Sequence, residues 1–541
     1  VKLTNNYVSE YRMEFKGRIL IYSISGCRHC KAAKEKLTSL NLPYSDVNLD
    51  NHPDQRDSMM TLTNQSSVPQ IFFNEKHVGG NTEFQALVTY YNESKKFIIL
   101  GICRLMCFST QAEEELNKLI EMVKNTRSPP NAPQPVSESN QPDVPGRLLP
   151  SEKDEMSSLV EDLSKQKEII YDHRRFFISK PKSFTGDDLI TFIAHEKDTD
   201  RVKAQEIGQQ LIAKKFIASV NKGQPLRDDS TLYRLLQDSP SNALNAGLPA
   251  YKALTSASEL SLLIRKTILN LYGDFLSKDG KHVDYKGIGE SKGFKDYIEQ
   301  VAQLQRAQID ELSRQEKLAF YINIYNALVI HANIKFGFPE SAWKRFKFFN
   351  DASYIIGGHE FNLQEIENGI LRSNRKGVGM LSKPFSKSDP RIQFILESNE
   401  PLIHFALVCG AKSCPPIKTY SPEVSRTNCC ISEFSCLVTH VKHYFHTSTT
   451  SQNIEAQLKL AAASFIDGDD GCRVDKPQGL IGLSRIFKWY KEDFGKSPPE
   501  VLVWVKEHMS NGLKKQDLTA LLESNTYKLD YLTYDWDSNK K

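Results

Sequence analysis

Residues 18–31, RILIYSISGCRHCK, determine the fold of the first part of this chain. The first six residues form a short β-rich run, which predicts a strand. After the second cysteine, Ala33, Leu37 and Leu40 recur at the spacing of one helix face. The sequence therefore predicts a strand, a turn that contains both cysteines, and a helix.

Cys27 stands where this turn meets the start of the predicted helix. Unpaired amides and the positive end of the helix dipole stabilise a thiolate over a thiol there, which lowers the thiol pKa. Arg28 and Lys31 add positive charge in the same sense. We therefore expect Cys27 to be a nucleophile, and Cys30, three positions on, to be the thiol that resolves a mixed disulfide.

Three further motifs follow in order: SVPQ at 67–70, the apolar run IFF at 71–73, and HVGG at 77–80. With the Cys-x-x-Cys motif, this order resembles the glutaredoxins over about a hundred residues. The resemblance implies a thioredoxin fold and thiol-disulfide exchange with glutathione and protein disulfides. It also implies that Val68 pairs its backbone with glutathione, that Pro69 is cis, and that the γ-glutamyl carboxylate is received by three residues, namely Gly80, Asn81 and Thr82.

Two positions depart from the family pattern. Arg28-His29 replaces the frequent Pro-Tyr or Pro-Phe, and Ile24 replaces the lysine usually found three residues before the first cysteine. Alternatives for the two cysteines are a half zinc site, for which this module offers no second ligand pair, or an inert fold. A signalling adaptor, in which this domain senses or docks, is the competing function.

The composition is that of soluble globular domains. A chain of 541 residues is too long for a single hydrophobic core. Its net charge of +4 is the small difference between 70 basic and 66 acidic residues. Nothing global therefore indicates a nucleic-acid partner. Residues 97–108 are too short to span a bilayer, and no secretory leader is recognisable, so we expect a cytoplasmic protein, peripheral at membranes if it binds them at all.

Composition divides the chain into modules. Residues 124–150 are rich in Pro, Ser and Asn and predict a linker. We therefore predict domains at 15–123, 158–237 and 251–541. Two cysteine-containing segments, near 88–111 and 424–452, interrupt stretches of sequence with helical periodicity. We interpret these segments as insertions and assign no function to their cysteines.

The second module contains SFTGDDL at 183–189, GQQL at 208–211 and LYR at 232–234. Its pattern predicts three helices and a β wing, and it resembles the DEP domains. The resemblance implies binding to membranes or receptors during signalling. A basic stretch in this module could meet anionic lipid, although a solvated face is an equal alternative; its members are His173, Arg174, Arg175, Lys180 and Lys182.

The third module is mainly helical, and residues 315–335 are apolar around most of the helix, which predicts burial. Residues 402–408 are interpreted as a buried strand. The helix YNALVIH at 325–331, the element DPR at 389–391 and the signature HFALVCGAKSCPP at 404–416 resemble an uncharacterised domain family that occurs beside glutaredoxin and DEP modules.

Chemistry at Cys414 is a hypothesis for this last module, because a residue before proline is a candidate helix N-cap. His404 or His331 would be the base and Asn326 the orienting residue of a Cys-His-Asn hydrolase. A metal site from His404, Cys409 and Cys414, a disulfide between the two cysteines, and a core cysteine remain open. The predicted fold class is thus multidomain α/β and α+β: a thioredoxin fold, a winged helix and a helical α+β domain.

Overall fold

The computed structural model describes residues 15–24, 27–49, 52, 55–65, 67–88, 110–135, 153–175, 178–221, 223–253, 255–277, 282–408, 410 and 454–536. The chain forms two compact units, the first made of Val1–Val144 and Leu276–Val283, and the second of Pro145–Phe275 and Asp284–Lys541. Within the described ranges, no helix is both long and apolar enough to cross a membrane. The inferred insertion at 424–452, and nearly all of that at 88–111, lie outside the described residues.

The first unit is built on a four-stranded sheet. Its elements are β1 (Ile19–Ser23), α1 (Arg28–Ser39), β2 (Tyr44–Asn48), α2 (Gln55–Thr63), β3 (Gln70–Phe73), β4 (Lys76–Gly79), α3 (residues 81–88) and α4 (Thr110–Asn125). The strand order is β2-β1-β3-β4, with β1 parallel to β2 and antiparallel to β3. This topology is the predicted thioredoxin fold.

Strand β1 is buried along its whole length, which shows that both faces of the sheet are covered there. Successive side chains of a strand point to opposite faces. Ile19 and Ile21 accordingly enter a core with residues of α1, α3 and α4, whereas Leu20 and Tyr22 enter a second core with Met59 of α2. The unbroken apolar run thus makes β1 an inner strand of the sheet. The two cysteines follow the C-terminal end of this inner strand.

The second unit begins with the predicted winged helix. Its elements are α5 (Ser157–Lys165), β5 (Tyr171–Arg175), β6 (Ile178–Thr185), α6 (Gly186–Glu196), α7 (Arg201–Ala213), β7 (Ile217–Ser219) and β8 (Leu232–Leu235). The strands are ordered β5-β6-β8-β7. Thr185 caps α6 by accepting the N–H of Asp188 at 3.0 Å. A Cβ atom on Gly186 would lie 1.9 Å from the carbonyl oxygen of Arg227, so only glycine fits this turn. The expected three helices and β wing are confirmed.

The rest of the second unit is mainly helical, as predicted. Its elements are α8 (Ala257–Asp274), α9 (Tyr285–Glu290), α10 (Lys292–Gln303), α11 (Arg314–Phe336), α12 (Ala342–Asp351), β9 (Ser353–Ile356), β10 (His359–Asn362), a π-helix (Glu365–Leu371), α13 (Ile454–Asp467), β11 (Cys472–Asp475), β12 (Leu480–Leu483), α14 (Arg485–Trp489), α15 (Lys491–Phe494), α16 (Pro498–His508), α17 (Leu513–Ser524) and β13 (Lys528–Tyr531). Every residue of α11 from Leu318 to Asn333 is buried, which confirms the expectation for this helix.

One element differs from the sequence interpretation. Residues 402–408 were expected to form a strand, but Pro401–Phe405 forms a 3-10 helix. Pro401 is pre-organised for the first helical position, and the Glu400 carboxylate accepts the N–H of Leu402. A short buried apolar run does not by itself distinguish a strand from a helical turn. The helix-start signals at Glu400 and Pro401 therefore determine the conformation of this segment.

Arg306 connects the winged helix to the helical domain within the second unit. Its side chain is 1% exposed and donates to three backbone carbonyl groups, those of Lys214 at 3.0 Å, Ala250 at 2.8 Å and Lys252 at 3.1 Å. Its remaining nitrogen pairs with the buried carboxylate of Asp154 at 3.0 Å. The two domains therefore share one buried cation.

We predict that Arg306→Ala destabilises the second unit by about 3 to 5 kcal/mol, because it removes the buried partner of Asp154, which then keeps only the more exposed Lys214 as an ion-pair partner at 3.3 Å, and leaves three backbone carbonyl groups without their donor. The measurement is urea unfolding of the full chain. Arg201→Ala is the matched control. Arg201 also forms ion pairs, with Asp187 and Asp228, but its side chain is 47% exposed. Its removal should therefore lower the free energy of unfolding far less. Equal losses in the two variants would contradict this role of Arg306.

Candidate functional site

Cys27 lies at the first turn of α1 and has extended backbone dihedrals (φ −82°, ψ 112°). Its Sγ accepts the N–H of Cys30 at 3.1 Å. Cys27 is half-buried, whereas Cys30 is 1% exposed. The two form a disulfide with a Cα–Cα distance of 5.3 Å. An incoming sulfur atom can therefore reach Cys27, while Cys30 faces the protein.

The Val68–Pro69 peptide bond is cis, as the resemblance implies. It turns the Val68 carbonyl oxygen toward the cysteine pair, 4.0 Å from Cys27 Sγ. Pro69 is buried and Val68 is half-buried. A stretch of backbone thus lies beside the sulfur atom, where an extended substrate could pair with it.

Gln70 fixes the loop that carries the cis proline, and sequence reasoning missed it. Its buried amide donates to the Gln65 side chain at 2.8 Å and to the Ser67 carbonyl oxygen at 2.9 Å, and its Oε1 lies 2.6 Å from His77 Nε2. Burial lowers the pKa of His77, partly offset by Glu83. A neutral His77 then donates its Nε2–H to Gln70. The sequence signal for this role is a polar residue directly after the proline, at the start of an otherwise apolar strand.

The predicted carboxylate-binding residues lie at the start of α3, but one of their amides is already engaged. The N–H of Gly80 donates to Glu83 Oε2 at 2.9 Å. Asn81 Oδ1 accepts from the Gln85 side chain at 3.3 Å, and Thr82 is exposed. Glu83 therefore places a carboxylate where the resemblance puts that of glutathione.

The missing lysine is replaced by a core residue. Ile24 is half-buried against the cluster that contains Leu20 and Tyr22. Lys34 is nearby in sequence, but its Nζ is bound to Asp46 at 2.5 Å and to Ser23 at 2.9 Å. Position 24 therefore contributes apolar surface rather than the positive charge that the family resemblance implies there.

In the C-terminal domain, His404 is buried and its Nε2 lies 2.8 Å from Asp493 Oδ2. Arg372 also binds this carboxylate, at 2.6 and 3.0 Å, and Arg375 binds it at 2.8 Å. Burial alone raises the pKa of Asp493, but the bonds from His404 and Arg372 outweigh it and hold that pKa well below its usual range. The Tyr490 ring stacks on the imidazole at 3.9 Å.

The protonation of His404 follows from these contacts. Burial lowers its pKa, and the neighbouring Asp493 offsets this only in part. The neutral imidazole must donate its Nε2–H, because an ionised carboxylate only accepts hydrogen bonds. The Nδ1 atom of His404 is then the basic nitrogen.

The other tentative residues have different surroundings. Asn326 donates to the Ala406 carbonyl oxygen at 2.9 Å and accepts the N–H of Val408 at 2.8 Å, so it holds backbone. His331 Nδ1 bonds to the Tyr354 hydroxyl at 2.7 Å, and burial lowers its pKa to about 3. Cys409 and Cys414 lie outside the described residues.

Sequence reasoning missed the residues that surround His404. Asp493 is 89 positions away in the chain, and no local pattern links the two. The π-helix Glu365–Leu371 brings Glu367 to accept from the Tyr325 hydroxyl at 3.0 Å and the Tyr490 hydroxyl at 2.6 Å. A π-helical turn is rare and occurs frequently at functional sites, but sequence patterns do not reveal it.

Comparisons with known proteins agree with this architecture. Family models match in the expected order: Glutaredoxin at residues 19–78, the domain found in Dishevelled, Egl-10, and Pleckstrin (DEP) at 169–235, and the protein of unknown function DUF547 at 309–429. Glutaredoxin-2 of Schizosaccharomyces pombe is 39% identical over 72 residues, which are 13% of this chain and 66% of that protein. Glutaredoxin 3 of Escherichia coli is 31% identical over 67 residues, 12% of this chain and 81% of that protein.

The parallel β1–β2 pair, the Cys-x-x-Cys at the start of α1 and the cis proline beside it define a thioredoxin-fold protein. Within that class, the chain belongs to the glutaredoxin family through its first domain. A DEP domain and a DUF547 domain follow in the same chain. The chain spans just under two thirds of the fission-yeast relative, and the matched residues are a small part of its own length.

Glu83→Ala should lower the KM for glutathione by about threefold to tenfold, because it frees the Gly80 N–H and removes a negative charge from the carboxylate subsite. The KM is measured in glutathione-dependent disulfide reduction by the full chain. Glu75→Ala removes the same charge from an exposed turn and should leave the KM unchanged. An unaltered KM in Glu83→Ala would place the γ-glutamyl group elsewhere.

Proposed function

We propose that the first domain is a glutathione-linked thiol-disulfide oxidoreductase whose nucleophile is Cys27. The observation that supports this most directly is the position of Cys27 Sγ, which accepts the first-turn N–H of Cys30 and lies 4.0 Å from the carbonyl oxygen of the cis Val68–Pro69 bond. An anionic sulfur atom is favoured where a helix offers unpaired amides.

The reaction proceeds by two exchanges. The Cys27 thiolate attacks one sulfur atom of a substrate disulfide, forms a mixed disulfide and releases the other sulfur as a thiolate, which takes up a proton. In the dithiol route, Cys30 loses its proton and attacks Cys27 Sγ, which releases the reduced substrate and leaves the Cys27–Cys30 disulfide. In the monothiol route, glutathione attacks Cys27 Sγ instead.

Glutathione is proposed to lie along Val68, with its γ-glutamyl carboxylate at Gly80, Asn81 and Thr82. The engaged Gly80 amide weakens this subsite, and Ile24 supplies no positive charge at the family's lysine position. The dithiol route, which uses protein disulfides and the buried Cys30, is therefore favoured over monothiol chemistry.

The DEP domain is proposed to deliver this activity to an anionic membrane surface or a receptor. Within its basic stretch, Lys182 pairs with Asp238 at 2.8 Å and His173 bonds to Ser183 at 3.0 Å, whereas Arg174 is exposed. The competing proposal is a catalytically silent adaptor that uses the first domain only for sensing or docking.

Cys27→Ser in the full chain should abolish reduction of protein disulfides and of glutathione mixed disulfides, because it removes the attacking sulfur. Cys30→Ser should abolish only the former. Both activities are measured with a glutathione-coupled assay. Ser23→Ala, which alters a hydroxyl bonded to Asp46 and no thiol, is the control. A parent protein without either activity would favour the adaptor.

A second candidate activity lies in the C-terminal domain and is favoured by the His404–Asp493 contact. We propose that Asp493, rather than Asn326, orients the imidazole. His404 Nδ1 takes the proton of the Cys414 thiol, whose sulfur attacks an ester or amide carbonyl to form a thioester. The departing alcohol or amine takes that proton from His404.

Alkylation of Cys414 by iodoacetamide tests this activity. Near neutral pH, His404→Ala and Asp493→Asn should each slow it by at least about tenfold, the effect of one unit of thiol pKa. Cys27, followed in the same peptide map, should react at its parent rate. An unchanged Cys414 rate in folded His404→Ala would leave the histidine a purely structural residue.

A further inference from the structure

Helix α12 (Ala342–Asp351) exposes large aromatic side chains. Of its residues, only Phe348 is buried. Trp343 is 71% exposed and Phe346 is 48% exposed, and their rings stack at 5.9 Å. Phe336, at the end of α11, is 51% exposed and contacts Phe348 at 6.4 Å between ring centroids. The stacked rings of Trp343 and Phe346 therefore form an exposed apolar surface on the C-terminal domain.

Basic residues alternate with these rings on the same helix. Lys344 pairs with Glu340 at 2.9 Å, and Lys347 lies 3.9 Å from Asp351. Both ion pairs are well exposed, so water screens them and the lysines can exchange partners at little cost. The Arg345 guanidinium lies over the Trp536 ring at 4.4 Å. We call Trp343, Lys344, Phe346 and Lys347 the aromatic-basic face, because Trp343, Phe346 and Lys347 share one side of the helix at i, i+3 and i+4 and Lys344 borders that side.

Arg345 lies on the opposite side of α12 from Trp343, where its contact with Trp536 connects the helix to a second group of aromatic residues. Trp536 contacts Trp489 at 5.3 Å and Tyr534 at 4.7 Å. All three are half-buried rather than enclosed. Trp and Tyr have a large apolar ring and a polar atom, which suits them to the boundary between hydrocarbon and water.

The chemistry of the face distinguishes lipid from protein as its occupant. The cores of protein interfaces are enriched in Trp, Phe and Arg but depleted in Lys, whereas lysines flank both exposed rings here. Lysines beside Trp and Phe on one short helix are typical of interfacial helices. Each basic side chain near an anionic bilayer strengthens the binding.

We propose that the aromatic-basic face inserts Trp343 and Phe346 into the headgroup region of an anionic lipid bilayer, with Lys344 and Lys347 meeting lipid phosphates. The C-terminal domain then binds membranes itself, independently of the basic stretch of the DEP domain. This role requires neither cysteine of the first domain.

Flotation of the full chain with vesicles tests the proposal. The parent should float with phosphatidylserine-containing vesicles and much less with pure phosphatidylcholine. Trp343→Ala combined with Phe346→Ala should reduce the partition coefficient by at least about tenfold, because it removes most of the apolar surface that inserts. Both side chains are exposed, and circular dichroism should show an unchanged fold.

Two control variants separate this face from other surfaces. Leu381→Ala combined with Leu513→Ala removes apolar side chains that are 94% and 79% exposed and should leave flotation unchanged. Arg174→Gln combined with Lys180→Gln removes charge from the DEP stretch and should leave Trp343-dependent binding in place.

A spectroscopic readout locates the contact. Brominated lipids should quench parent fluorescence more than that of Trp343→Phe. Full flotation by the Trp343/Phe346 variant, loss of flotation in the DEP variant alone, or absence of parent binding to anionic vesicles would each overturn the proposal. The last result, together with capture of a protein at this face, would identify a protein surface instead.

Discussion

The arrangement of the first domain depends on the hydrogen bond from the Cys30 amide to Cys27 Sγ at 3.1 Å. This bond exists because β1 is an inner strand that is buried on both faces, and α1 begins at the turn directly after it. The same amide that would otherwise be unpaired at a helix start orients the sulfur atom and favours its anionic form. Removing the helix start would remove this geometry, on which the proposed reactivity of Cys27 rests.

The two cysteines and the cis proline lie together, whereas two positions that the family resemblance assigns to glutathione recognition differ from the family pattern. Ile24 contributes to a core rather than to a positive charge, and Glu83 binds the amide of Gly80. Both differences concern the proposed recognition of glutathione and not the proposed thiol exchange. Selection for a different substrate would have this signature.

The sequence predicts features encoded within a few residues and fails where distant residues meet. Cys27 and Pro69 are recognised because local motifs carry them, and the apolar run of α11 shows its burial directly. The 3-10 helix at Pro401–Phe405 was misread because short apolar segments are ambiguous. The partner of His404 lies 89 positions away, and that of Arg306 lies 152 positions away. No periodicity encodes such pairs, which form only when the fold closes.

The two buried arginine-aspartate pairs of the second unit have different meanings. Arg306 donates to the carbonyl group of Lys214 in the winged helix and to those of Ala250 and Lys252 in the segment after it, so joining these parts of the unit explains its role. Arg372 and Arg375 instead converge on a carboxylate that also holds an imidazole. Apolar side chains of similar volume often replace a buried ion pair without loss of stability. The proposed proton transfer through Nδ1 of His404 would use both the orientation and the neutral state that these contacts give the imidazole.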